Sequence, residues 1–155
     1  MLKGMVILMI SLESKSKEET IEIGKRIGKI LKPSDVVLLS GDLSAGKTHI
    51  SKGIGFSLGV KKIINSPTFT IVKEYQGDNV IFYHLDLYRL DGINNDFDLE
   101  EYIESDGICA IEWPYQVKEI LPKEYLLVDI KLKSENERII NITGIGRYKN
   151  YEEMI

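Results

Sequence analysis

Residues 36 to 48 read Val-Val-Leu-Leu-Ser-Gly-Asp-Leu-Ser-Ala-Gly-Lys-Thr, an apolar run that passes through a glycine-containing loop into a lysine-threonine pair. The four apolar residues Val36 to Leu39 suit a strand covered on both faces, the usual state of a central parallel strand. Beyond the loop, Ile50, Ile54 and Leu58 recur on one face of a helix that Gly59 can end. A strand, a loop and a helix amino end in that order make a phosphate cradle. Backbone amides turn inward, glycines sit where a side chain would collide, and the helix terminus favours an anion. Gly41, Asp42, Leu43, Ser44, Ala45, Gly46, Lys47 and Thr48 form the cradle, with Lys47 bridging the β- and γ-phosphates and the Thr48 hydroxyl on a magnesium ion.

Working outward, Ser16 and Glu19 have the spacing of a capping box, and Ile23, Ile27, Ile30 and Leu31 predict a helix over 17–31. The apolar Met5 to Ile10 is too short to span a bilayer and reads as an edge or near-edge strand. Thr68 to Tyr75 and Val80 to Leu87 predict a hairpin about the turn composition Gln76-Gly77-Asp78-Asn79. An acidic helix is expected over 94–104 and a buried strand over Ile108 to Ile111. Tyr125 to Leu132 and Arg138 to Thr143 predict a second hairpin. Gly53 and Gly55 lie inside the second helix, where they cost helix stability and point to close packing. The sum is one domain over residues 1–155: a three-layer α/β P-loop fold whose mixed sheet adds antiparallel pairs to a parallel centre.

The chain has 155 residues, 24 acidic against 20 basic, for a formal net charge of -4. Its bulk field repels a polyanion, so contact with nucleic acid is expected to be local or through a partner. Cys109 is the single cysteine, which excludes an intrachain disulfide or a multi-cysteine metal site and fits a reducing compartment.

Two carboxylates sit where open α/β sheets place their ligands. Asp86 ends the run Val80 to Leu85 and is placed to meet the magnesium, often through water. Glu112 ends the strand Ile108 to Ile111 and can ligand the metal or orient the attacking water; spacing does not separate the two jobs. Thr68, in Ser66-Pro67-Thr68-Phe69-Thr70, lies where related nucleotide hydrolases carry a γ-phosphate-sensing segment, and the same residues also suit a plain strand entry. His84 reads as a packed histidine and His49 as an ordinary helix residue. Trp113 suits either a core position or an exposed place beside the nucleotide as a partner contact.

Four motifs in order, Gly-Asp-Leu-Ser-Ala-Gly-Lys-Thr, Ser-Pro-Thr-Phe-Thr, His-Leu-Asp-Leu-Tyr-Arg-Leu at 84–90 and Ile-Glu-Trp-Pro at 111–114, resemble the TsaE ATPases of tRNA threonylcarbamoyladenosine biosynthesis. The resemblance runs from about residue 16 to the end of the last hairpin. It implies a cytoplasmic protein that slowly hydrolyses ATP with Mg2+ and docks on the paired subunits TsaD and TsaB, which handle the tRNA. It further implies that residues 41–48 hold the phosphates, Thr48 and Glu112 ligand magnesium, and Asp86 supports hydrolysis. Thr68 falls in the switch-like segment, and Trp113 beside the nucleotide and partner surface. Ser44 stands where the family commonly has glycine.

The leading rival is a small-molecule or nucleotide kinase, but such enzymes need several lid arginines and this chain has four in all, Arg26, Arg89, Arg138 and Arg147, none clustered. A GTP-binding switch lacks its guanine-reading Asn-Lys-x-Asp.

Overall fold

The computed structural model describes residues 8–42, 45–67, 71–87, 98–112 and 121–155. Seven strands form one sheet: β1 (Met9–Ser14), β2 (Val36–Gly41), β3 (Val72–Gln76), β4 (Ile81–Asp86), β5 (Ile108–Glu112), β6 (Tyr125–Leu132) and β7 (Arg138–Ile145). Their order across the sheet is β1-β7-β6-β2-β5-β4-β3. β2 runs parallel to both β5 and β6, and β4 runs parallel to β5. The pairs β1/β7, β6/β7 and β3/β4 are antiparallel, so a parallel centre carries antiparallel flanks. Val36 to Leu39 are all buried, as a strand with both faces covered requires.

Helices α1 (Lys17–Ile30) and α2 (Lys47–Ser57) cover one face. There Ile23, Ile27, Ile50 and Ile54 pack on Val37, Leu39, Phe82, Ala110 and Val128. The short α3 (Leu99–Ile103) covers the other face, where Leu99 joins Val36, Leu38, Leu85, Cys109 and Ile111. Ser16 caps α1 by accepting from the Glu19 amide at 3.1 Å, while the Glu19 carboxylate accepts from the amide of Lys15, one residue outside the usual box. Gly59, at φ +86°, follows the end of α2. Among the described residues no helix is long and apolar enough to cross a membrane.

Three boundaries differ from expectation. The first strand is an edge strand, but it lies at Met9–Ser14 and not over the apolar run from Met5. It alternates exposed Met9, Ser11 and Glu13 with Ile10, Leu12 and Ser14 turned inward. Pairing with β7 sets that position, because Ile10 and Leu12 face Ile142 and Ile140; residues 5–7 lie outside the described residues. The acidic helix spans only Leu99–Ile103, capped where Asp98 accepts from the Glu100 amide, and residues 94–97 are outside the described set. The last strand continues to Ile145 and is followed by two 3-10 turns, Gly146–Tyr148 and Tyr151–Met154.

The glycines of α1 and α2 let the two helices touch backbone to backbone. A Cβ at Gly53 would lie 2.1 Å from the Ile21 carbonyl oxygen, and one at Gly24 would lie 2.4 Å from the Ile50 carbonyl oxygen. Helix propensity favours alanine over glycine by about 1 kcal/mol, whereas overpacking costs about 1–3 kcal/mol. Since the obstructing atoms are backbone, overpacking wins. Gly53→Ala is expected to lower unfolding free energy in urea by about 1–3 kcal/mol; an unchanged or higher midpoint contradicts the packing account.

Candidate functional site

The site is built where β2 ends and α2 begins. Gly41 holds φ +136°, and a Cβ there would lie 2.4 Å from the Ile130 carbonyl oxygen. The Ala45 amide donates to the Asp42 carbonyl at 2.9 Å, closing the loop. Gly46 is the N-cap of α2 in left-handed backbone, φ +110°, and no side chain caps the helix. Among the described residues beyond its chain neighbours and its own helix backbone, the nearest atom to a Cβ built there is 3.8 Å away, so its constraint is conformation and open approach, as an anion-binding helix start needs. The Lys47 ammonium folds back over the loop and donates to the Gly41 carbonyl at 2.9 Å. Thr48 is half-buried one residue into the helix. Leu43 and Ser44 lie outside the described residues, as do Thr68, Arg89 and Trp113.

The two carboxylates arrive from adjacent strands. Asp86 and Glu112 are paired across the parallel β4/β5 ladder. Side chains alternate along a strand, so Phe82, His84 and Asp86 share one face with Ala110 and Glu112, the face covered by α1 and α2. Both acids are buried, at 7% and 5% exposure. Burial, then the Asp86 charge, push the Glu112 carboxyl up to about 7, with Lys47 opposing and the hydrogen bond that protonated Glu112 donates to Asp86 adding to the rise. Lys47 thus stands close enough to be felt by Glu112, and the structure brings Lys47, Asp86 and Glu112 together.

His84 is fully buried behind them. Its Nε2 lies 3.2 Å from the Ser51 hydroxyl and 3.8 Å from Glu112 Oε2. Desolvation, then the Lys73 charge, hold the imidazole down at about 3, so it is neutral and its contact with Glu112 is no ion pair. The packed role expected of His84 is the one it has. His49 is an ordinary residue of α2.

Two features escaped the sequence reading. Ile71, a β-branched residue, holds φ 67° immediately after the Ser-Pro-Thr-Phe-Thr segment, and its carbonyl accepts the Asp86 amide at 2.7 Å. Backbone strain of this kind has no sequence signal, since isoleucine is the last residue expected there. Arg138, at the start of β7, donates through Nε to the Ala45 carbonyl at 2.8 Å, 93 residues away in sequence.

The candidate metal-ligating groups are all oxygen: the Thr48 hydroxyl and the Asp86 and Glu112 carboxylates. That set suits a hard divalent cation, and two buried acids side by side call for positive charge. Among the described residues no three His, Cys, Asp or Glu side chains cluster to hold a metal alone. A hollow of about 530 Å³, lined by Ser34, Val36, Tyr148 and neighbours, lies at the amino end of β2, away from the carboxyl ends where open α/β sheets bind ligands.

Comparison with known proteins identifies the family. Residues 14–140 match the family described as threonylcarbamoyl adenosine biosynthesis protein TsaE. A tRNA threonylcarbamoyladenosine biosynthesis protein TsaE of Bacillus subtilis is 44% identical over 133 residues, covering 85% of this chain and 84% of the relative. Its counterpart in Treponema pallidum is 35% identical, covering 83% and 96%. The crystal structure of Bacillus subtilus YdiB superposes with a TM-score of 0.82 at 36% identity, covering 97% of this chain and 94% of that one. With residues 14–140 matched by the family and a 44% identical relative covering 85% of its length, the chain belongs to the TsaE family of tRNA threonylcarbamoyladenosine biosynthesis.

Proposed function

We propose that this protein is a magnesium-dependent ATPase, acting as a single cytoplasmic P-loop domain. It docks on the paired TsaD and TsaB subunits and supports threonylcarbamoylation of adenosine 37 in tRNA by binding and hydrolysing ATP. The observation that carries the reading is the convergence of Lys47, Asp86 and Glu112 at the open amino end of α2.

Loop residues 41–48 hold the phosphates, with main-chain amides doing most of the binding, Gly41 allowing the chain to pass close to Ile130 and Gly46 keeping the approach clear. The Lys47 ammonium, which donates to the Gly41 carbonyl, would bridge the β- and γ-phosphate oxygens. Thr48, Glu112 and Asp86 hold magnesium, which when bound neutralises developing charge on the phosphoryl group. Glu112 also lies where it can orient water, and Asp86 supports hydrolysis from the adjacent strand. Thr68 and Trp113 are assigned to the switch segment and the partner surface on the family's motifs.

The kinase alternative gains nothing from the arginines described. Arg138 is engaged by the carbonyls of Ala45, Ser134, Glu135 and Glu137. Arg147 lies at the opposite end of β2, on the Ser34 carbonyl and 3.3 Å from Asp35. Arg26 is exposed on α1, and neither Arg138 nor Arg147 is placed to form a lid over a second substrate.

Without metal or nucleotide, Glu112 makes the site sensitive to pH. In the native protein it keeps its proton up to about 7, while the unfolded chain releases it at the ordinary carboxylate value. Between those values the native state binds more protons, so its stability falls as pH rises through the window and stays lower above it. Metal- and nucleotide-free Glu112→Gln is therefore expected to be more stable than wild type in urea at pH 8, with the difference shrinking toward pH 5. A difference independent of pH contradicts the assignment.

Phosphate release by purified protein, alone and with TsaD and TsaB, tests the function directly. Magnesium-dependent ATP hydrolysis is expected for wild type, with losses of about 100-fold or more in Lys47→Ala, Asp86→Ala and Glu112→Ala, the scale on which removing a charge-stabilising group acts. Phosphorylation of a small-molecule acceptor in place of phosphate release would install the kinase reading instead.

A further inference from the structure

Arg138 reaches the phosphate loop from the side opposite the carboxylates. Across the sheet, β7 and β6 lie to one side of β2, whereas β5 and β4, which carry Glu112 and Asp86, lie to the other. The Arg138 Nε–H meets the Ala45 carbonyl at 2.8 Å, and the same guanidinium donates from Nη1 to the carbonyls of Ser134, Glu135 and Glu137 at 3.3, 3.1 and 3.1 Å. One side chain thus closes the β6/β7 turn and fastens that turn to the loop. A charge-assisted bond to a carbonyl is about twice as strong as a neutral one, and the fork geometry of arginine fixes direction as well as distance.

A trans peptide points its carbonyl and its following N–H in opposite directions, and the structure has no cis bonds among the described residues. With the Ala45 carbonyl held on the Arg138 guanidinium, the Gly46 N–H is turned away from that guanidinium. Glycine at φ +110° leaves that peptide the freedom to rotate unless something holds it.

We infer that Arg138 is a positioning residue for nucleotide phosphate: by holding the Ala45 carbonyl it aims the Gly46 N–H into the cradle. The inference rests on the phosphate-binding reading of the loop given above. Arg138 acts through the loop and not by touching the phosphate, so it governs ground-state binding of ADP and ATP alike. It has little part in the chemical step.

The test is titration of a fluorescent ADP analogue (mant-ADP) into wild type, Arg138→Gln and Arg138→Lys, with and without magnesium, alongside thermal melts and the kinetics of ATP hydrolysis. Both variants are expected to bind about tenfold more weakly, with KM raised in step and kcat within about twofold, the signature of lost uniform binding. Lysine keeps the charge but not the fork, so full recovery by Arg138→Lys would overturn the inference in favour of a simple field effect. Wild-type affinity in Arg138→Gln, or a fall in kcat at unchanged KM, overturns it too. Should the variants not fold, the Gly46 amide resonance of wild type decides: ADP must move it downfield, and a resonance that stays put overturns the inference. If wild type itself binds no mant-ADP, the phosphate-binding reading falls first, an outcome distinct from binding that ignores Arg138.

Discussion

Parallel pairing of β4 with β5 places Asp86 opposite Glu112, and the chemistry available to this protein follows from that register. A slip of one residue would carry one carboxylate to the far face of the sheet, among Leu85, Cys109 and Ile111. In register, the two acids lie side by side beneath α2, with burial and mutual repulsion favouring the neutral form of Glu112. Such a pair is poor economy for a structural core and well suited to a cation. The ammonium of Lys47 is the positive charge already felt there, and a divalent ion would complete the balance.

That arrangement needs α2 held close and in one orientation. Gly24 and Gly53 let α1 and α2 approach backbone to backbone, and Ser57 adds a hydrogen bond to the Lys25 carbonyl at 2.7 Å. Ser51, one turn beyond Lys47, meets His84 on β4, so the helix that carries the lysine is tied by a buried polar contact to the strand that carries Asp86. A neutral histidine serves this purpose at neutral pH without bringing a second cation into the core. Arg138 grips the loop from the other side.

The two ends of β2 divide labour. At its carboxyl end the chain is shaped by glycines, left-handed backbone and buried charge, features that cost stability and gain a site. At its amino end, Tyr148 is fully buried and its hydroxyl accepts the Val36 amide at 2.8 Å, while Tyr151 donates to Asp35 at 3.0 Å. The last turns of the chain thereby close the sheet where no ligand is expected.

The sequence by itself determined the elements and their class. The Val36–Leu39 run, the Ile50/Ile54/Leu58 face, the capping Ser16 and the two hairpins each carry a local signal of period or turn chemistry, and those signals act over a few residues. Lys47, Asp86 and Glu112 were legible because a cradle motif and strand-end acids are written in order along the chain. Tertiary structure alone decided what depends on distant pairing. The register that sets Asp86 against Glu112, the start of β1 at Met9 opposite β7, the strained Ile71 beside Asp86 and the reach of Arg138 to Ala45 all join residues far apart in sequence or defy local preference. No short window of sequence encodes them, because their energy arises only when the sheet has brought both partners together.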